Sequence, residues 1–91
     1  MIYLIGTTTR IKVGWSKNPY HRLRQLQTAN SERLRLIKVY DVPRQKERFL
    51  HRQLFAFRER SNGEWFGLSA TDAVDLCDNL LNHCYEFAKI S

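Results

Sequence analysis

The chain opens with two short segments of alternating apolar and polar residues, a pattern typical of a β-hairpin. A Gly/Thr-rich turn at residues 6–9 separates them, and a turn at this place pairs Tyr3 with Lys12. These two side chains then share one face of the hairpin, while aliphatic residues occupy the other face. Gly14 follows on the face of Tyr3 and Lys12, and because glycine has no side chain, it leaves space on that face.

The next segment carries the signals of a helix start. Asn18 is a suitable N-cap, and Pro19 stands at the first helical position. The helix is predicted to continue to about Thr28, with Leu23 and Leu26 facing inward. Its polar residues then lie beside or opposite this apolar stripe.

A third strand and a second helix follow. Residues 34–42 are rich in aliphatic and β-branched residues, but their alternation slips near Ile37, which indicates either a bulge or burial on both faces. Residues 43–58 predict a helix, and Glu47 is turned inward among the apolar residues of that helix. The rest of that face is formed by Leu50, His51, Leu54 and Phe57. Residues 61–63 predict a turn.

The last predicted helix covers residues 69–91. Ser69 and Asp72 stand at the spacing of a capping box. The apolar stripe consists of Ala73, Val74, Cys77, Leu80, Leu81, Cys84 and Phe87. Asp78 is expected on the opposite, solvated side. Since Cys77 and Cys84 are two turns apart, they are too distant to form a disulfide and are expected to be small buried hydrophobic residues.

Composition and charge narrow the class of protein. The 91 residues suffice for one small domain, and no apolar run approaches the ~20 residues of a membrane span. With no basic segment before the first apolar run, we expect a cytoplasmic protein without a membrane partner. Residues 1–60 contain fourteen basic and four acidic residues, a net charge of +10, whereas residues 61–91 have a net charge of −4. This asymmetry favours a polyanionic partner such as nucleic acid over a domain that is merely basic.

Four polar residues stand where the pattern favours apolar or small ones: Tyr3, Lys12, Arg22 and Glu47. A phenol, two cations and a carboxylate suit the metal-assisted cleavage of a phosphodiester, with the carboxylate holding a divalent cation and the cations neutralising phosphate charge. Each residue also has a structural interpretation, because a tyrosine can line the core and an arginine stem can cover apolar surface. The catalytic hypothesis depends on the combination of the four.

The order of the short motifs resembles the GIY-YIG endonuclease superfamily, in particular its short phage-type subgroup. The resemblance covers residues 1 to about 67. Met1-Ile2-Tyr3 is similar to the GIY motif, and Lys12-Val13-Gly14 is similar to YIG with Lys12 in place of the tyrosine. The helix arginine of the family matches Arg22, its metal-binding glutamate matches Glu47, and residues 63–66 are similar to its closing segment.

The resemblance implies an α+β fold in which a small three-stranded antiparallel sheet is flanked by helices, with residues 69–91 as an added packing helix. It implies that Tyr3 activates or orients water, that Arg22 stabilises the scissile phosphate together with Lys12, and that Glu47 binds one Mg²⁺ or Mn²⁺. The residues expected to support this site are Gly14, His21, His51 and Asn62. The basic residues expected to contact nucleic acid are Lys17, Arg24, Arg44, Arg48 and Arg52.

The resulting hypothesis is a metal-dependent endonuclease that nicks or cleaves DNA. A homodimer, a partner protein or the basic surface alone would then supply the specificity. One alternative is a non-catalytic nucleic-acid-binding module on the same fold, in which Tyr3 and Glu47 are kept for structure. Another is an adaptor whose acidic C-terminal helix binds a protein.

Overall fold

A computed structural model describes residues 1–57 and 65–90 of the chain, with side chains to residue 81. Within these residues the elements are β1 (Ile2–Gly6), β2 (Ile11–Trp15), α1 (Pro19–Thr28), β3 (Arg35–Tyr40), α2 (Gln45–Gln53), a 3-10 turn (Phe55–Phe57), β4 (Trp65–Phe66) and α3 (Ala70–Ile90). The predicted α+β class is confirmed. In this part of the chain, no helix is both long and apolar enough to cross a membrane.

The described strands form one antiparallel sheet in the order β3-β1-β2-β4. The sheet therefore has four strands instead of the three predicted. The additional strand, β4, pairs with β2 through Ile11 opposite Phe66 and Lys12 opposite Trp65. Because β4 has only two residues, it is too short to show an alternating pattern in the sequence.

The pairing of β1 with β2 differs from the prediction by two residues. Tyr3 lies opposite Gly14, and Lys12 lies opposite Ile5, so the predicted pairing of Tyr3 with Lys12 is wrong. Side chains alternate along a strand with a period of two, so a shift of two residues leaves each one on its face. Tyr3 and Lys12 consequently share one face of the sheet as expected.

The turn of the hairpin explains the shift, because it lies one residue later than predicted. The Thr7 hydroxyl oxygen accepts hydrogen bonds from the backbone N–H groups of Thr9 and Arg10 at 3.3 and 3.2 Å, and the Thr7 N–H donates to the Arg10 carbonyl. Gly6 then belongs to β1. A Cβ at Gly6 would lie 2.0 Å from the Arg10 carbonyl oxygen, so this close approach requires glycine.

A β-bulge accounts for the broken alternation in β3. Leu4 of β1 pairs with Lys38, whereas the next residue, Ile5, pairs with Leu36. Two steps along β3 therefore correspond to one step along β1, and Ile37 is the extra residue. Of the two explanations that the sequence allows, the bulge is the correct one.

The helix α1 has the predicted limits and the predicted cap. The Asn18 side-chain oxygen accepts a hydrogen bond from the His21 backbone N–H at 3.1 Å, and Pro19 is the first helical residue. Leu23 and Leu26 pack against the sheet as expected.

The helix α2 is shorter than the predicted range of 43–58. It ends at Gln53 and is followed by the 3-10 turn, and the last predicted residue, Arg58, lies outside the described residues. Leu50 and Leu54 are buried, but Phe57 is 43% exposed, so its predicted place on the buried face is wrong. A 3-10 turn has three residues per turn instead of 3.6, which rotates Phe57 off the stripe.

The sheet separates two apolar clusters. The smaller cluster lies under α1 and consists of Tyr3, Ile5 and Leu34 with partly buried neighbours. The larger one covers the opposite face, and its buried members are Ile2, Leu4, Ile11, Val13, Leu50, Leu54, Phe66, Leu68, Ala73, Cys77 and Leu81. The helices α2 and α3 therefore pack on one face and α1 on the other.

The start of α3 confirms half of the predicted capping box, because the Ser69 hydroxyl accepts a hydrogen bond from the Asp72 backbone N–H at 3.1 Å. The predicted apolar residues of α3 up to Leu81 are buried or half-buried. Cys84 and Phe87 lie outside the described side chains, and the predicted turn at 61–63 lies outside the described residues.

Asp78 is not on a solvated face as predicted. Its Oδ1 accepts hydrogen bonds from Lys38 Nζ at 2.7 Å and from the Tyr40 hydroxyl at 2.6 Å, which join α3 to the edge strand β3. The bonds from Lys38 and Tyr40 lower the pKa of the Asp78 carboxyl, and burial together with this bond raises the pKa of Tyr40. Burial also raises the pKa of the Cys77 thiol to about 11, so Cys77 is a neutral core residue near pH 7.

Candidate active site

A tyrosine and an arginine meet over a glycine on the α1 face of the sheet. The Arg22 Nε atom donates a hydrogen bond to the Tyr3 hydroxyl at 3.4 Å, and Arg22 Nη1 donates to Gln25 at 3.3 Å. Gly14 provides the space for the Tyr3 ring, because a Cβ there would lie 2.3 Å from the hydroxyl oxygen. The predicted open position at Gly14 is therefore filled by Tyr3, which is only 2% exposed.

Lys12 lies on the same face, 6% exposed, and faces the aromatic ring of β4. Its Nζ lies 5.7 Å from the centre of the Trp65 ring, and the Arg10 guanidinium carbon lies 5.2 Å from the same centre. Arg10 also forms an ion pair of 2.9 Å with Glu32. An aromatic face attracts cations, so Trp65 stabilises the positive charges of Lys12 and Arg10.

Glu47 is half-buried in the first turn of α2, on the opposite layer from α1. One turn later, His51 Nε2 lies 2.6 Å from the carbonyl oxygen of Val13, the residue before Gly14 in β2. The His51 ring also packs edge-on against Phe66 at 5.4 Å. The helix that carries Glu47 is thus held against the strand that carries Lys12 and Gly14.

The outer side of α2 is basic and concave. An open groove of about 790 Å³ is lined by Arg44, Gln45, Glu47, Arg48, His51, Arg52 and Phe55. The three arginines are exposed, and the Arg44 guanidinium lies 4.8 Å above the ring of Trp15. Guanidinium groups at such a surface suit phosphate oxygens, to which they donate in pairs.

The other predicted basic contacts lie on the α1 side. Lys17 precedes the helix, and Arg24 is in its second turn; both are exposed, as is His21. The His21 backbone takes part in the helix cap, but its ring faces solvent. The predicted basic residues therefore divide between the two helical layers instead of forming one patch.

Comparison with known protein families assigns most of the chain to one family. Residues 1–81 match the model of the T5orf172 domain. The chain belongs to the T5orf172 domain family. This is a phage-type domain, and the match is compatible with a nucleic-acid-related role. No curated protein and no solved structure matches the chain significantly.

The T5orf172 match extends beyond residues 1–67, which carry the motifs, and includes α3 as far as Leu81. The family match therefore includes the part of α3 that packs into the core. Membership of the GIY-YIG superfamily is a more specific assignment than the T5orf172 family, and it stays a prediction.

The structure brings part of the predicted site together. Tyr3, Gly14 and Arg22 are in contact, with Lys12 on the same face, whereas Glu47 and His51 belong to the α2 layer. Asn62 lies outside the described residues. The sequence interpretation assigned no role to Arg10 or Phe55, and it treated Trp65 only as part of the segment 63–66 that is similar to the closing segment of the GIY-YIG superfamily. The sequence did contain a signal for Trp65. Successive residues of an extended segment face opposite sides of a sheet, so Trp65 and its neighbour Phe66 had to lie on different faces.

The candidate metal ligand is a single carboxylate. Among the residues that the structure describes, no group of three or more His, Cys, Asp or Glu side chains is placed to hold a metal ion. Mg²⁺ keeps several water ligands and commonly binds through one or two carboxylates together with substrate phosphates. Glu47 therefore fits a cation shared with a bound phosphate, but not a closed structural site.

Proposed function

We propose that this T5orf172 domain is a divalent-metal-dependent DNA endonuclease of the GIY-YIG type, which hydrolyses phosphodiester bonds. The observation that carries the proposal is the hydrogen bond between Arg22 and Tyr3 on the face that also holds Lys12. A phenol, a guanidinium and an ammonium on one face suit the attack of water on a phosphodiester, which adds negative charge to phosphate. The net charge of +10 in residues 1–60 supports a DNA partner.

Tyr3 would activate or orient the water molecule that attacks the phosphate. Since Tyr3 is 2% exposed, water would reach its oxygen when the Arg22 side chain turns aside. The hydrogen bond of 3.4 Å is long, so little energy is lost by this movement. The freed guanidinium would then donate to the phosphate, where a charge-assisted pair is stronger than its bond to a neutral phenol.

The other polar residues would assist this step. Lys12 would add positive charge near the phosphate, with its ammonium 5.7 Å from the centre of the Trp65 ring. Glu47, on the opposite layer of the sheet from Tyr3, would hold Mg²⁺ or Mn²⁺ on the α2 side. The bound ion would supply Lewis-acid stabilisation of phosphate charge on that side. The target would be selected by a homodimer, by a partner protein or by the basic surface itself.

The test is a nicking assay on supercoiled plasmid with Mg²⁺ or Mn²⁺. We expect Tyr3→Phe and Glu47→Gln to lower the rate at least about tenfold, because each removes a group in contact with the reacting water, the phosphate or the cation. Tyr20→Phe is the matched control for the phenol, since Tyr20 is 69% exposed on α1. Asp75→Asn, on the exposed side of α3, is the matched control for the carboxylate.

Nicking by the wild-type protein that survives both site substitutions would refute the proposed roles. An inert wild-type protein that still binds DNA with a steep salt dependence would favour the non-catalytic binding module instead. The specific observation in favour of that second function is the row of exposed arginines on α2, which requires no chemistry to bind phosphates.

A further inference from the structure

The groove on α2 combines exposed arginines with an exposed aromatic ring. Phe55 is 65% exposed, although phenylalanine is among the residues most often buried in folded domains. It lines the same groove as Arg48 and Arg52 and follows the C-terminus of α2 by two residues. The ring therefore stands at the end of a basic surface instead of inside the apolar core.

The arginines of the groove form a regular row. Arg44 is the N-cap residue of α2, and Arg48 and Arg52 follow at intervals of four residues, which places all three along one side of the helix. A rise of 1.5 Å per residue separates successive members by about 6 Å along the axis. Such a row follows an extended polyanion better than a single compact anion.

We infer that this groove binds a single-stranded segment of nucleic acid, with its phosphates along the arginine row and one base stacked on Phe55. The inference rests on the nucleic-acid partner of the proposed function and names the substrate form that this side of the domain accepts. Bases in a regular duplex are stacked on each other, so their faces are not available to a side chain. A single strand offers both a flexible backbone and open base faces.

The test measures binding in EDTA, so that no cleavage is needed. Fluorescence anisotropy gives the dissociation constants of a labelled oligo-dT strand, an oligo-rU strand and a DNA duplex of the same length at equal salt. We expect tighter binding of a single strand than of the duplex. Comparison of oligo-dT with oligo-rU shows whether the bound single strand is DNA or RNA. Loss of the stacked base in Phe55→Ala weakens single-strand binding by roughly 5- to 150-fold with little change for the duplex.

Two further variants separate stacking from charge. Arg48→Gln reduces the slope of log K against log salt by about 0.7 for a single strand, whereas Phe55→Ala leaves the slope unchanged. Phe55→Trp retains the affinity because it retains an aromatic face. Tyr20→Ala is the matched control, since Tyr20 is similarly exposed on the opposite layer and should bind as the wild type does.

Equal loss for single strand and duplex in Phe55→Ala would overturn the inference, as would an equal loss in Tyr20→Ala. A thermal melt of each variant shows whether the fold is intact, and the exposed position of Phe55 leads us to expect no change. A protein that binds single strands as described but never nicks DNA would refute the proposed nuclease and leave this inference intact. A protein that nicks duplex DNA but binds single strands more weakly than the duplex would support the proposed nuclease and refute this inference.

Discussion

Gly14 is the position at which one added methyl group should disturb both the fold and the candidate site. The Cβ of Gly14→Ala would lie 2.3 Å from the Tyr3 hydroxyl oxygen and 2.4 Å from the ring carbon that bears it. Ordinary contact begins at 3.4 Å, so the buried Tyr3 ring or the strand must move by about 1 Å. Gly14 does not have a positive φ, so the expected cost is steric and not conformational.

The magnitude follows from overpacking in a well-packed interior, which costs about 1–3 kcal/mol in the free energy of unfolding. In a domain of this size each kcal/mol lowers Tm by roughly 4–8 °C. A middle value of about 2 kcal/mol therefore predicts a fall of roughly 8–16 °C in a thermal melt followed by circular dichroism. A movement of about 1 Å also displaces the Tyr3 hydroxyl from the place where it would meet the attacking water, so we expect nicking activity to fall as well.

A double-mutant cycle isolates the cause. In the background of Tyr3→Leu the phenol ring is absent, so Gly14→Ala should cost less than in the wild type. An equal cost in both backgrounds would refute the steric reasoning. Gly67→Ala is the matched control, because its Cβ would lie 3.6 Å from the nearest atom and should change stability by less than about 0.5 kcal/mol.

Substitutions at two further positions test the contacts around the sheet. In folded protein the pKa of Asp78 lies below its ordinary value of 3.8, so its contribution to stability is present at neutral pH and is lost as pH falls through the lowered pKa. The unfolding free energies of Asp78→Asn and wild type in urea should therefore differ most at pH 7. The difference should shrink as the pH falls below 3.8 towards the lowered pKa of Asp78, and a constant difference would contradict this. Trp65→Leu should lower Tm more than Trp65→Phe, because only phenylalanine keeps an aromatic face for Arg10 and Lys12, and equal effects would exclude the cation–π contribution.

The local signals of the sequence were sufficient for most elements. The start of α1 follows from Asn18 and Pro19, whose side chain and ring act on the adjacent backbone alone. The common face of Tyr3 and Lys12 was also predictable. Side chains alternate along a strand with a period of two, so a register error of two residues does not change the face of either residue. The slip at Ile37 was visible in the alternation, and pairing with β1 identified it as a bulge.

What the sequence determined by itself was therefore local: the hairpin faces, the helix starts, the apolar stripes and the excess of basic residues before residue 61. Tertiary structure decided the contacts between distant segments, such as β4 on the edge of β2 and Asp78 with Lys38. It also placed Glu47 and Tyr3 on opposite layers of the sheet and left Phe55 exposed in the groove. The physical reason is that a cap or a strand period depends on neighbouring residues, whereas burial and pairing depend on which remote residues the sheet brings together.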